Sequence, residues 1–204
     1  MKLMRPLALL AFLSACQAVP APEQVGAAAT LGQAHFESTA SLRDDSLDLI
    51  ATITTADGYR PRRGAFDKSW NDNFLRAFVD KRTGRTTYQV YQDFFYRAHA
   101  MRRYYAANYA GLGGPRSVDV TVIDRDIVCT GSILSPCSYF ETVGFEVDEE
   151  VLRAAAGGAQ SGGAPWRFKF RARSGADFHT GLAPAEVAGL LARVDQYRAR
   201  RGLQ

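Results

Sequence analysis

The chain has 204 residues, room for one domain or at most two small ones. Its 47% hydrophobic and 23% charged residues exclude wholesale disorder, and no apolar run approaches the roughly 18 residues that cross a bilayer as a helix. The formal charge is only +4, and Lys2 and Arg5 of the leader supply two of those charges, which argues against a nucleic-acid partner.

Lys2 and Arg5 open the chain, and an apolar core starting at Leu7 follows. A charged start, a greasy core and then small residues is the pattern of a secretory signal. The core is too short to anchor the chain by itself. It ends Leu13-Ser14-Ala15-Cys16, an aliphatic residue, two small residues and a cysteine. At these four positions the sequence resembles the lipobox of bacterial lipoproteins, and the resemblance covers residues 1–16 only. It implies cleavage before Cys16, a diacylglycerol thioether on its sulfur, and acylation, such as palmitate, of the new amine. Gln17 stands where an aspartate directs enteric lipoproteins to stay in the inner membrane, so the resemblance implies the outer membrane, facing the periplasm. Two acyl chains already hold a protein stably on a bilayer.

The expected partition is a signal peptide over 1–15, the lipidated cysteine and a tether over 16–35, and one β-rich globular domain over 36–204. Residues 17–35 are rich in Ala, Pro, Gly and Gln. As a coil they would reach about 24 Å. Residues 46–55 read as a strand closed by the turn signal Asp57-Gly58. Residues 75–79 and 86–95 flank a short glycine-containing connection and predict a hairpin. Residues 94–109 are open between helix and strand, and their aromatic content leans them to strand. Residues 117–128 alternate through Val118, Val120 and Val122. Residues 138–147 follow as a strand, and 154–165 read as a surface loop. Residues 166–173 alternate Trp and Phe with Arg and Lys, then turn into 178–181. One helix is clear, with Pro184 in its first turn, an apolar stripe through Val187, Leu190, Leu191, Val194 and Tyr197, and arginines at its end. The fold class expected is α+β: a mostly antiparallel sheet of about seven or eight strands with this C-terminal amphipathic helix packed on it.

Cys129 and Cys137 remain after the lipobox cysteine, and in an oxidising compartment they should pair. If they sit opposite each other on antiparallel strands, partners share the index sum 266. Arg125 then faces Glu141, Ile127 faces Tyr139, and Ile123 faces Val143, all on one face. A charge among apolar neighbours needs a partner, so Arg125 and Glu141 are expected as a structural ion pair.

No catalytic residues are expected. His35, His99 and His179 show no metal-ligand spacing, so no metal site and no cofactor is expected. Glycine loops and serine motifs also lack the required spacing. The paired acids Glu149 and Glu150 fit a turn or an exposed end. Tyr88, Tyr91, Phe94, Phe95, Tyr96, Tyr104, Tyr105 and Tyr109 form the densest aromatic region, with Arg97, Arg102 and Arg103 interleaved. They read as core on one face and as a support for arginine stems on the other. The function expected is that of a membrane-anchored periplasmic lipoprotein with a non-enzymatic binding or structural role. Its partners would be the membrane, through the lipid, and an envelope protein, a glycan or an apolar ligand. One alternative is a carrier of lipid or another apolar ligand, although the Gly-x-Trp signature of lipocalins is missing at Trp70. The other is an enzyme whose site is assembled from distant segments around His99 or His179.

Overall fold

A computed structural model describes residues 31–56, 72–131, 135–157 and 163–203. The fold is α+β, with two antiparallel sheets and a C-terminal helix packed on the larger one. The chain order is α1 (Gln33–Thr39), β1 (Ser41–Arg43), β2 (Ile50–Thr54), β3 (Asp72–Asp80), β4 (Thr86–Ala98), β5 (Tyr104–Gly111), β6 (Gly114–Asp119), β7 (Thr121–Val128), β8 (Cys137–Val147), α2 (Glu149–Ala156), β9 (Trp166–Ala172), β10 (Phe178–Leu182) and α3 (Pro184–Arg201). The first sheet runs β1-β2-β3-β4-β8-β7 and the second β10-β9-β5-β6. Among the described residues ten strands thus stand where about seven or eight were expected, and they divide between two sheets.

Alternation explains each layer. Leu75, Ala77 and Val79 of β3 and Tyr88, Val90, Phe94 and Tyr96 of β4 turn to one buried face. The second sheet covers this face over β4 and β8. Phe94 stacks on Tyr104 with centroids 3.9 Å apart, and Phe145 meets Trp166, Phe168 and Phe170 at 5.6–6.5 Å. Burying such a side chain contributes about 1.5–3 kcal/mol. Over β2 and β3 the covering layer is α3, whose Val187, Leu190, Leu191 and Val194 join the same core.

Helix α3 starts at Pro184, where the missing N–H costs nothing, and ends at Gly202 (φ 65°). There the Leu203 N–H reaches the Arg198 carbonyl at 2.9 Å. Its second face is covered by α1. A Cβ at Gly189 would lie 2.5 Å from the Phe36 Cβ, so only glycine allows this approach.

Several expectations are corrected. Residues 117–128 are not one strand. Val120 breaks the run, so β6 and β7 belong to different sheets, because each finds its hydrogen-bond partners on a different neighbour. The leaning of residues 94–109 to strand, by contrast, holds for 94–98 and 104–109, which are joined by a connection in which Arg103 takes φ 56°. Glu149 and Glu150 open α2 rather than a turn, since acids suit a helix N-terminus. Helix α2 also takes residues 154–156 from the expected loop, and α1 takes residues 33–35 from the expected tether. The turn at Asp57-Gly58 lies outside the described residues.

Candidate functional site

Cys16 lies outside the described residues. Cys129 and Cys137 are joined as a disulfide, with Cα atoms 4.4 Å apart. The bridge closes the end of the β7–β8 pair, beside the last residue of β4, because Cys137 pairs with Ala98. From Asp124 to Val128 the pairing of β7 with β8 follows the index sum 266, so Arg125 is opposite Glu141 and Ile127 opposite Tyr139. Ile123 does not face Val143. The register shifts between Val122 and Asp124, and Val143 pairs with Val122 instead. One extra residue in β7 absorbs the shift, as in a bulge.

Arg125 Nε donates to Glu141 Oε2 at 3.0 Å. The Glu141 side chain is fully buried, and that of Arg125 is 31% exposed. The other carboxylate oxygen, Oε1, accepts the Tyr96 hydroxyl. That hydroxyl in turn accepts the Arg102 backbone N–H at 2.8 Å. The Arg102 guanidinium lies 4.3 Å above the Tyr96 ring and donates to the Tyr104 hydroxyl at 3.2 Å. Tyr139 stacks on the other side of Tyr96, centroids 5.2 Å apart. Burial pushes the Tyr96 hydroxyl well above its ordinary value, and its bond to the Glu141 carboxylate adds to that. Both Glu141 oxygens and the Tyr96 hydroxyl are therefore engaged within the fold, and each strand contributes one link.

Of the aromatic region, Tyr88, Phe94, Tyr96, Tyr104 and Tyr109 join the core, and Tyr91, on the opposite face of β4, is buried as well. Arg76 caps the Tyr91 ring at 4.5 Å, and Arg173 lies 5.1 Å from the Tyr105 ring. These rings are covered by the chain's own residues and present little open face. His99 and His179 are exposed, and His35 sits in α1 with its ring edge against Phe36. Among the described residues no group of three His, Cys, Asp or Glu is placed to hold a metal ion.

Among the described residues, two clefts lie at the end of the sandwich where β6 approaches β8 and α2. A cleft of about 570 Å³ is lined by Arg85, Tyr88, Tyr109, Arg116, Ser117 and Glu146, among others. A second, of about 690 Å³, is lined by residues 112–116 and 148–151. The exposed bridge from Arg116 Nη1 to Asp148 Oδ2, 2.9 Å long, stands between them. The Tyr88 hydroxyl is buried and has no hydrogen-bond partner among the described residues. Burial raises it, and the nearby Glu149 charge raises it further. This arrangement offers arginines and carboxylates to a polar or charged ligand.

One buried acid was not anticipated. Glu186, in the first turn of α3, is only 4% exposed. Its Oε1 lies 2.6 Å from the Thr55 hydroxyl, and among the described residues no cation faces it. Burial pushes its carboxyl up to about 8. Its place beside Val187 reads as a first-turn acid at a solvated helix start. What meets it is the Thr55 hydroxyl, 131 residues away in sequence, so no local signal could have found its burial.

No protein-family model matches the chain, and neither the curated proteins nor the solved structures yield a match.

Proposed function

We propose that the chain is a membrane-anchored lipoprotein of the cell envelope, held at the outer membrane and facing the periplasm, with a non-enzymatic binding role. The observation that carries this reading is the run Leu13-Ser14-Ala15-Cys16 behind a charged, apolar leader. The bridged cysteines support it, since such bonds persist in oxidising compartments. The packing favours an interaction module over a carrier of apolar ligands. Aromatic rings fill the space between the sheets, and the clefts at its end are bordered by charged side chains. The saturated bonds around Glu141 favour a structural role for that pair, which locks β7 to β8.

The test is metabolic labelling with a fatty-acid analogue, followed by membrane fractionation. The wild-type chain should carry the label and sediment with outer membranes. Cys16→Ser should lose both properties. An unlabelled wild-type chain in the soluble cytosolic fraction overturns the anchor. Turnover of ester, peptide or glycan substrates by the purified protein overturns the non-enzymatic role.

A further inference from the structure

The outer strand of a sheet carries unpaired N–H and C=O groups, and an edge that offers them freely pairs with another chain. Among the described residues four strands form such edges. β1 has only three residues, β10 has five, and β6 has six with Pro115 among them. Short strands and proline blunt an edge. β7 has neither protection: it is eight residues long, lacks proline, and is exposed at every residue. Val122, Ile123, Ile127 and Val128 stand 42–53% exposed on it.

This strand reads the same in both directions: Val122-Ile123-Asp124-Arg125-Asp126-Ile127-Val128. A twofold axis through Arg125 would therefore set like against like when two copies pair antiparallel, as a self-complementary interface requires. The backbone has the matching phase. Cys129 and Cys137 stand with Cα atoms 4.4 Å apart, the spacing of an antiparallel pair that exchanges no hydrogen bonds. Arg125 and Ile127 share the phase of Cys129, so their N–H groups turn to the free edge. There the Asp124 and Asp126 carboxylates accept them, at 2.9 and 2.8 Å.

We propose that β7 is an edge matched to β7 of a second copy of this chain, and that Asp124 and Asp126 keep the chain monomeric by closing it. Each aspartate acts twice. Its carboxylate occupies an N–H that the second copy would need. It also repels, because around the twofold Asp124 would face Asp126 of the second copy, in the closer kind of cross-strand pair, with Cα atoms about 4.5 Å apart. Two such pairs put their carboxylates on one face of the joined sheet, and like charges directly opposite destabilise it. Arg125 does not relieve them. It turns to the other face and bonds Glu141, so the central pair of the interface carries its own counter-charges. The bulge before Asp124 ends the matched run at Ile123. Ile123 against Ile127, on both sides of Arg125, is the apolar contact that pairing gains once the acids are removed. This inference goes beyond the anchored-binding reading and does not depend on it.

The test uses residues 16–204 with Cys16→Ser, so that no lipid is attached, followed by sedimentation velocity at neutral pH. The parent should be monomeric. D124T/D126T, which lacks both the charges and the carboxylate caps, should self-associate at least tenfold more tightly, and adding I127D should return it to monomer. D124K/D126K should be monomeric alone but form a one-to-one dimer with the parent, because each lysine then faces an aspartate. Salt should weaken that mixed dimer. Equal thermal melting of the variants excludes unfolding. A parent that already dimerises, a monomeric D124T/D126T, or a mixture that stays monomeric overturns the proposal. So does a D124T/D126T dimer that I127D leaves intact, which would use another surface. Because the assayed protein is unlipidated, failure of the fatty-acid label leaves this result independent.

Discussion

Glu141 and Glu186 lie in the same two-layered core, each out of reach of bulk water. Glu141 has a guanidinium on one oxygen and a tyrosine hydroxyl on the other. Glu186 has the Thr55 hydroxyl and a neighbouring Asp72 that adds repulsion. A buried carboxylate keeps its charge only where the fold supplies a compensating one; otherwise it takes up a proton. The strand pair β7–β8 supplies Arg125 because register places it there. Among the described residues no cation meets the acid at the start of α3, and burial pushes its carboxyl up to about 8.

The largest expected effect tests the Glu186 side. Its carboxyl lies at about 8 in the folded chain and near 4.5 unfolded, so folding takes up a proton between those values. Stability should fall as pH rises from about 4.5 to about 8, then level off. Glu186→Gln keeps an acceptor for Thr55 and carries no charge. Urea denaturation at pH 5, 7 and 9 should show this variant flat where the parent declines, with a gain of up to about 5 kcal/mol at pH 9. A parent whose stability does not decline over this range removes the contrast.

The next effect tests the Glu141 side. Arg125→Met strands a buried carboxylate and should cost about 3 kcal/mol, at the low end for a broken buried pair because water reaches the partly exposed site. Arg125→Met with Glu141→Gln should recover more than half, since the amide still accepts the Tyr96 hydroxyl. Equal losses for the single and double variants would show that packing, not charge, holds β7.

The smallest effect concerns the clamp on that register. Replacing both Cys129 and Cys137 by serine should cost about 2.5 kcal/mol from chain entropy. Paired with Arg125→Met, it should cost less than the sum if the bridge positions the arginine, because each change alone already forfeits the shared part. Thermal melts of the four proteins decide this.

How much of this was legible depends on the range of the interaction. The opposition of Arg125 and Glu141 follows from two cysteines and a period of two, both local quantities. The failure at Ile123 is equally instructive: a single bulge between Val122 and Asp124 displaces every partner beyond it. The clefts beside Arg116 and Asp148 left no signal, because they join β6 to the start of α2 across 32 residues of chain. Glu186 looked like an ordinary first-turn acid, since the Thr55 hydroxyl that meets it comes from a segment 131 residues away.

The sequence by itself determined the alternation of the core strands β3, β4 and β9, the terminal helix and the β7–β8 register near the bridge. Each is set by spacing within a short stretch, where side-chain direction follows from backbone geometry alone. The tertiary structure decided that β6 and β7 part into separate sheets, that α1 lies on Gly189, and that, among the described residues, one buried acid has a cation while the other has none. Those outcomes turn on which distant segments meet, and a residue's charge state is set by what surrounds it after they have met.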